Sequence, residues 1–533
     1  MTTTEQNKTM KVLITTSGIG SRLGELTDYT NKSLIRVGDK PAISHIIENY
    51  PEDTEFVITL GYYAQHVKQY LEIAYPLLSF SFVEVDNYSG AGSSLAYSML
   101  QAKEYLLQPF VFHACDTIVS GRIPYPSNNW CAGGKRIETL GGAQYRSMNI
   151  SRGQVQKINN KGEMDYDLEY LGICGIYDYQ LFWDSLANLY NFEPLSGQLS
   201  DCDAINLMLG EAKFSGVEFY DWYDMGNIDS LKESRKIFSN SFNVLDKPDE
   251  SIFLVDDHII KFFHSKEVCQ NRIARATRLG NLVPMIISGS DNFYKYRYVK
   301  GHLYADVANC SNFLSFLNWS KENLWRRTEA GTDEIVELCD KFYFEKTRKR
   351  LDNYLKKAKD KDVETIINGL RVPPVHYMLD CIDKDWLCAS EPSEFHGDFI
   401  LDNIIKTDSG YCLIDWRQDF AGNINFGDIY YDLAKLNHNL ILNHENIKNN
   451  HFKIESKGDE ISCDILVNFS LLESRQIFRE FLIENNFDTK KVDVLTSLVW
   501  ISMSPLHEYP LNKFLFYFGK YNLYKNIKEE LNE

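Results

Sequence analysis

Positive charge is scarce in this 533-residue chain: 56 Lys and Arg stand against 74 Asp and Glu, a net charge of −18. Such a field repels phosphate backbones and anionic lipid, which argues against a nucleic-acid or membrane-surface protein. Any phosphate site must be local, built from backbone amides, metal ions or single basic residues. No apolar run approaches the ~18 residues that a bilayer span needs, so membrane insertion is not expected. The opening MTTTEQNKTMK is polar and gives no export signal. The eleven cysteines are scattered, odd in number and without a CxxC pair. That argues against a disulfide framework or a zinc site and for reduced thiols in a cytoplasmic protein. Repeats and low-complexity tracts are absent as well. What is present is ordinary: 44% hydrophobic and 24% charged residues exclude wholesale disorder. At ~150 residues per domain the length exceeds any single small module.

Two patterns divide the chain. Residues 11–238 alternate strand and helix signals. Strands are expected at Lys11–Thr16, Phe56–Leu60, Ser79–Val85 and Phe110–Ala114, with helices at Ile43–Tyr50, Ala64–Ile73 and Ser93–Leu106. This alternation predicts a parallel, layered α/β sheet of Rossmann-like character. Residues 1–10 read as a polar tail. Ser239–Glu250 collects Asn, Ser, Asp and Pro and reads as a linker. In 251–533 the pattern changes. Ser251–Phe263 suggests two short strands around an Asp-Asp turn, and Asn292–Val299 a third. From residue 331 the chain is mostly helical, as in Glu334–Lys357, with a strand pair around Ile404–Ile414. Lys346–Lys361, with acids interleaved, reads as a solvated helix face.

The first strand runs into Ser17-Gly18-Ile19-Gly20-Ser21-Arg22-Leu23. Glycines there let backbone amides approach a triphosphate, and the helix after them would point its positive end at it. A dinucleotide fingerprint would place Gly where Leu23 stands, so its spacing fails. A glycine-rich turn with no ligand stays open. Companions strengthen the phosphate reading. Arg22 suits bidentate capture of phosphate oxygens. Lys32 lies downstream, Asp116 ends the Phe110–Ala114 strand region, and Asp224 sits in Trp222-Tyr223-Asp224-Met225-Gly226. Two strand-end carboxylates suit Mg²⁺.

In these residues the chain resembles the sugar-phosphate and phosphocholine nucleotidyltransferases. Gly18, Gly20, Ser21, Arg22, Lys32, Asp116 and Asp224 match that family's motif in order. Ser17 stands where the family often has Ala or Gly, and Asn31 where it has Pro. The resemblance implies a GT-A-like domain over 11–238. It implies a nucleotide held by Ser17, Gly18, Gly20, Ser21 and Arg22, and by Gly92, Ser93 and Ser94 of the Gly90–Leu95 loop. It further implies Arg22 and Lys32 as catalytic residues and Mg²⁺ on Asp116 and Asp224.

The sharpest motif is His396-Gly397-Asp398-Phe399-Ile400-Leu401-Asp402-Asn403, of the form H-x-D-x4-N, followed by Leu413-Ile414-Asp415-Trp416. The spacing lets Asp398 face a hydroxyl while Asn403 and Asp415 reach a metal. Gly422, Asp428 and Tyr431-Asp432-Leu433-Ala434 extend the pattern. Residues 251–533 resemble the aminoglycoside phosphotransferase and choline/ethanolamine kinase family. The resemblance implies a bilobal, protein-kinase-like domain with a small lobe at about 251–305 and a large lobe at about 306–533. Its ATP would be met by Lys261, its acceptor by Asp398, and its Mg²⁺ by Asn403 and Asp415. The small lobe has no glycine-rich loop before Lys261, and Glu267 is the lone acid in the stretch after it. Trp386, Trp416 and Tyr430 are candidates for a cage around a cationic acceptor, while Arg417 favours a hydroxylated or anionic one.

The combined expectation is a bifunctional enzyme that uses ATP and a second NTP, with CTP favoured. It would phosphorylate a small alcohol, amino-alcohol or sugar, then transfer a nucleotidyl group to the product and release pyrophosphate. Family resemblance places the activated product in capsular or other cell-surface polysaccharide synthesis. Homo-oligomerisation is left open. Two alternatives stand beside this: a sugar 1-kinase joined to a UTP-, GTP- or dTTP-dependent sugar-1-phosphate nucleotidyltransferase, and a chain in which one module is a non-catalytic regulator of the other.

Overall fold

The computed structural model describes residues 9–135, 145–238, 247–329, 331–458 and 460–531. Most of the expected polar tail, and residues 239–246 of the expected linker, lie outside the described residues. The chain divides into two compact units, Met1–Cys269 with Ile287–Tyr298, and Gln270–Ile286 with Val299–Glu533.

The first unit is built on a nine-stranded sheet. Its order is Ser79–Glu84, Glu55–Leu60, Lys11–Thr15, Phe110–Ala114, Leu168–Ile176, Trp130–Gly134, Ser215–Glu218, Gln154–Asn159 and Ser147–Ser151. The first four strands pair in parallel. Val12, Leu13 and Ile14 are wholly buried, as expected of a strand covered on both faces. The expectation of a parallel sheet holds for these four and, further along, for Ser215–Glu218 beside Trp130–Gly134, but not for the rest. Leu168–Ile176 runs antiparallel to both of its neighbours in the order, and the Ser147–Ser151 and Gln154–Asn159 strands form a hairpin. That hairpin turns through Arg152 and Gly153, both at positive φ (49° and 76°). This is the geometry that a two-residue turn between twisted strands requires. Once helical crossovers cease to separate the strands, only antiparallel pairing can be closed by so short a link.

Glu250–Val255 and His258–Phe263 form the expected hairpin, with Phe293–Arg297 beside it. These strands belong to the first unit rather than to the second. The cause is apolar burial: Phe253 and Phe293 pack against Tyr70 of the Ala64–Ala74 helix, with ring centres 5.4 and 5.9 Å apart. The segment expected as a small lobe is therefore divided, its strands joining one core and its remainder the other.

The second unit is mainly helical. The Thr489–Met503 helix is almost entirely buried and packs against Ile429–Ile441 and Leu511–Leu531. Gly519 permits the last of these contacts, since a Cβ there would lie 2.8 Å from Ile501 Cγ1. The strands Ile404–Thr407 and Gly410–Leu413 pair as expected. The single helix expected over Glu334–Lys357 is instead Thr332–Cys339, a π-helical turn at Asp340–Glu345, and Lys346–Ala358. Among the described residues no helix is long and apolar enough to cross a membrane, and none of the eleven cysteines forms a disulfide.

Candidate functional site

In the first unit the strand ends deliver the predicted side chains to one cleft. A cavity of about 360 Å³ is lined by Ser17, Gly18, Arg22, Lys32, Ser93, Ser94 and Asp116, together with Tyr88, Leu95 and Ser98. Its floor is a loop pinned from below. Asn31 donates to Thr16 O at 2.8 Å and to Tyr62 O at 2.6 Å, and accepts from Ser33 N–H at 2.9 Å. Asn31 thus fixes the loop by hydrogen bonds at the position where the resembling family has Pro. Gly20 sits at φ 75°, and a Cβ on it would come within 2.9 Å of Lys32 Cβ. Glycine there is what lets Lys32 reach the cleft. The element after the loop is not the α-helix expected. Ser21–Thr27 is a 3₁₀ helix broken at Gly24 (φ 55°, ψ −134°). The positive end of a regular helix is thus missing, and loop amides with Arg22 and Lys32 supply the positive field.

Lys32 Nζ lies 3.1 Å from Asp116 Oδ2. Burial pushes both groups toward neutrality, but their mutual attraction outweighs it. Lys32 is held above the ordinary lysine range and Asp116 below the usual carboxylate range. Asp224 arrives beside Asp116 because Trp222–Asp224 pairs antiparallel with Thr117–Val119, placing Asp224 opposite Thr117. Its carboxylate accepts from Gly226 N–H at 3.0 Å, Tyr145 O–H at 3.1 Å and Asn227 Nδ2 at 3.2 Å. Burial, and then repulsion from Asp116, raises its pKa. The convergence is visible at Gly226. A Cβ there would sit 3.1 Å from Arg22 Nη2, 3.1 Å from Asp224 Oδ1 and 3.2 Å from Asp116 Oδ2. Two repelling carboxylate oxygens with no third acid suit a hard divalent cation that keeps water or phosphate oxygens for its other positions. Among the described residues no group of three or more His, Cys, Asp or Glu side chains could hold a metal by itself.

Of the remaining predicted residues, Ser94 accepts from Tyr97 N–H at 3.1 Å to cap the Leu95–Gln101 helix. Ser93 Oγ donates to Gly90 O at 2.7 Å. Gly20, Ser21 and Gly92 border the cleft in sequence but do not line it. One residue that the motifs did not flag, Lys161, also interacts with the acids. Lys161 is lowered by burial and then by Arg22 and Arg146, while Asp224 and Asp116 act on it in the opposite sense. Lys161 lies in Asn160-Lys161-Gly162, a turn after a strand. That turn signal is the trace of it that the sequence carries.

In the second unit the His396–Asn403 segment is held from behind. Asp432 accepts from His396 N–H at 2.7 Å, Gly397 N–H at 2.6 Å and Trp325 Nε1 at 3.1 Å. Burial pushes its carboxyl up to about 6. Arg275, only 1% exposed, stacks 3.9 Å above Phe395 and donates to the carbonyls of Phe395 and Arg417. His396 accepts from Asp398 N–H at 3.2 Å on Nδ1 and bonds Ile414 O at 2.9 Å through Nε2. The ring links the two motif segments, and burial lowers its pKa to about 4. Asn403 Nδ2 donates to Asp398 O and Oδ2 at 2.9 and 3.1 Å. This leaves the amide oxygen as the end to meet a cation. Asp415 occupies a left-handed backbone conformation (φ 58°), and its Oδ1 lies 4.0 Å from Arg272 Nη1. Strained backbone of this kind concentrates at functional sites. The oxygen donors Asn403 and Asp415 fit Mg²⁺.

Other candidates go elsewhere. Lys261 is buried in the His258–Phe263 strand of the first unit. Trp416 is 1% exposed and donates to Arg272 O, Trp386 donates to Asp488, and Tyr430 packs edge-on to Phe487. These three rings form no cage at Asp398.

No family model matches the chain. It is 36% identical over 63 residues, 11% of its length, to the "Probable glucose-1-phosphate cytidylyltransferase" of Bacillus subtilis (strain 168). The match spans a quarter of that relative. Among solved structures, it is similar to a UDP-glucose pyrophosphorylase complexed with UDP-glucose, at 17% identity and a TM-score of 0.37, over 43% of this chain and 98% of that one. It is likewise similar to the CTP:phosphocholine cytidylyltransferase of Streptococcus pneumoniae, at 18% identity and a TM-score of 0.36, over 43% and 99%.

Proposed function

We propose that the first unit is a nucleotidyltransferase that joins the nucleotidyl group of an NTP, CTP by preference, to a phosphorylated small molecule. The carrying observation is the convergence of Arg22, Asp116 and Asp224 against Gly226, with Lys32 on Asp116. In this reading the acceptor phosphate oxygen attacks the α-phosphorus and pyrophosphate departs. The Gly18–Arg22 amides and the Arg22 guanidinium stabilise the departing charge. Lys32, kept protonated by Asp116, offsets charge at the α-phosphate. Mg²⁺ would be held by Asp116 and Asp224 and would supply positive charge to offset that of the phosphates. Lys161 and Arg146 supply further positive charge for the acceptor phosphate. The preference for CTP is supported by the likeness to the B. subtilis protein.

The second unit is proposed as a small-molecule phosphotransferase that makes that acceptor. Asp398 orients the hydroxyl and takes its proton. Asn403 and Asp415 would hold Mg²⁺, which would neutralise the phosphates of ATP. The support is the clamping of one local segment by Asp432, Arg275 and His396. The reading is tested by incubating the full chain with ATP, each NTP and a panel of alcohols, amino-alcohols and sugars, and weighing the products. Release of pyrophosphate with CTP and a phosphorylated acceptor is expected. Absence of nucleotidyl transfer to every phosphorylated acceptor would overturn the first assignment.

A further inference from the structure

The second unit gathers cations around the group assigned to the acceptor hydroxyl. Lys435 Nζ meets Asp398 Oδ1 at 2.8 Å. One helical turn earlier, Tyr431 packs edge-on to Phe342 at 4.7 Å, and Lys346 Nζ lies 5.8 Å from the Tyr431 ring. The same Lys346 Nζ is 3.6 Å from the centre of Phe342, and the Arg417 guanidinium is 5.0 Å from that ring. Arg417 also packs on the turn that carries Asp398. Its N–H donates to His396 O at 2.9 Å, and a Cβ at Gly397 would lie 2.5 Å from Arg417 Cβ. Arg350 stands one turn after Lys346 on the Lys346–Ala358 helix and donates to Ser502 O at 3.2 Å.

The solvated face expected over Lys346–Lys361 is exposed at Lys349, Lys356, Lys357, Lys359 and Lys361, but not throughout. Lys346 and Arg350 begin the lysine-rich stretch read as a solvated face, yet both are only partly exposed. The π-helical turn at Asp340–Glu345 precedes Lys346 directly and carries Phe342. Such turns recur where a helix serves a site. Among the described residues Lys346, Arg350 and Arg417 form no ion pair with a carboxylate. Burial, then Arg417, Arg350 and Lys435, hold Lys346 well below the ordinary lysine range, with Asp419 in partial opposition. Cations packed together on aromatic faces, with so little acid between them, are costly until an anion joins them.

We infer that the acceptor of the second unit is a small hydroxylated oxyanion, a hydroxy acid or a phosphorylated polyol. Its anionic group is held by Lys346, Arg350 and Arg417 while its hydroxyl faces Asp398. The inference rests on the phosphotransferase reading and names its substrate class. In the step, the acceptor oxygen forms a bond to the γ-phosphorus of ATP, and the bond from that phosphorus to the β–γ bridging oxygen breaks. ADP leaves with the electron pair, and the hydroxyl proton passes to Asp398. Charge-assisted, bidentate contacts from arginine suit carboxylate and phosphate alike. Choline or ethanolamine would meet like charge.

The test uses the full chain with D-glycerate, glycerol 3-phosphate, glycerol and choline. Binding is measured by titration calorimetry, and phosphoryl transfer from ATP with Mg²⁺ by mass spectrometry. At least one oxyanion should bind about tenfold or more tightly than glycerol, the scale of one lost charged hydrogen bond, and should be phosphorylated. The glycerate and glycerol phosphate arms tell carboxylate from phosphate. The double variant Lys346→Met, Arg350→Met should raise KM for that oxyanion at least tenfold with a smaller change in kcat. Arg350→Lys, which keeps the charge but loses the bidentate fork, should raise KM less than the double variant does and controls for folding. Glycerol or choline bound or phosphorylated as well as the oxyanions overturns the inference while the phosphotransferase reading stands. So does a folded double variant with unchanged KM, or binding of neither oxyanion to the unmodified chain. Failure to transfer phosphate to any of the four acceptors, with an oxyanion bound, overturns the phosphotransferase reading on which the inference rests.

Discussion

The two candidate sites are assembled in opposite ways. In the first unit the charged groups come from positions 22, 32, 116, 161 and 224, far apart in the chain, and meet because strands end at one edge of the sheet. In the second unit the groups assigned to phosphoryl transfer, Asp398, Asn403 and Asp415, lie in one short segment, 396–415. The remote Asp432 holds its backbone N–H groups, Trp325 in turn holds Asp432, and Arg275 ties down the flanking carbonyls of Phe395 and Arg417. The first arrangement brings charges of both signs into contact, so Lys32 and Asp116 each fix the other's ionisation. The second fixes geometry first, through buried hydrogen bonds to main-chain N–H groups. A site built from distant side chains is sensitive to each charge, whereas a site built on a clamped loop is sensitive to its scaffold.

The largest effect expected from this contrast lies in the first unit. Asp116→Ala removes the partner of Lys32, and Asp224→Ala leaves Asp116 as the lone carboxylate. Each should lower pyrophosphate release by about 10³-fold. The unfolding temperature should change little for Asp224→Ala, which relieves repulsion with Asp116, but should fall for Asp116→Ala, which leaves Lys32 without its partner. Turnover near that of the unmodified chain in either variant would break the assignment. A smaller loss, about 10²-fold or more, is expected for phosphoryl transfer by Asp398→Ala. This variant should still make the final product when given the phosphorylated intermediate and CTP. Arg22→Ala should instead accumulate the intermediate. A time course by mass spectrometry separates the two, and failure of the intermediate to rescue a folded Asp398→Ala would remove the two-site relay.

The sequence exposed these sites unequally, for the same structural reason. The Gly18–Arg22 loop and the His396–Asn403 segment are contiguous, so spacing alone marked them. The first parallel strands were legible because each is an apolar run bounded by a helix. The mixed half of the sheet was not, since Trp130–Gly134 ends in two glycines, Ser147–Ser151 is largely polar, and Arg152-Gly153 is a weak turn signal beside Asn-Gly. Lys161 escaped notice because nothing local distinguishes it from a surface lysine. Lys346 and Arg350 carry no sequence mark of their own within a charge-rich helix face that is otherwise solvated; the packing of Phe342, Tyr431 and Arg417 sets them apart. The placement of the Glu250–Phe263 hairpin in the first unit depends on Tyr70, Phe253 and Phe293, a tertiary contact without a sequence signature.

The smallest expected effect concerns the scaffold of the first site. His113 lies in the Phe110–Ala114 strand, three residues before Asp116, and is wholly buried. Its ring nitrogens bond Tyr50 Oη at 2.8 Å and Thr117 O at 2.9 Å. Burial lowers its pKa to about 4, with Thr117 and Asp116 opposing the shift. An unfolded histidine titrates near 6.5. Between these values the unfolded chain binds the proton and the folded chain does not, so acid favours unfolding. The contribution of His113 is fully present above about pH 6.5 and is lost as pH falls through about 4. His113→Gln keeps a polar group against Tyr50 and Thr117 but cannot take up that proton. Urea unfolding of the two proteins at a series of pH values between these limits should show a shallower decline for the variant, even though it is less stable at neutral pH. Equal slopes would mean that His113 is protonated in the folded chain. In that case the strand end carrying Asp116 rests on a charged rather than a neutral imidazole.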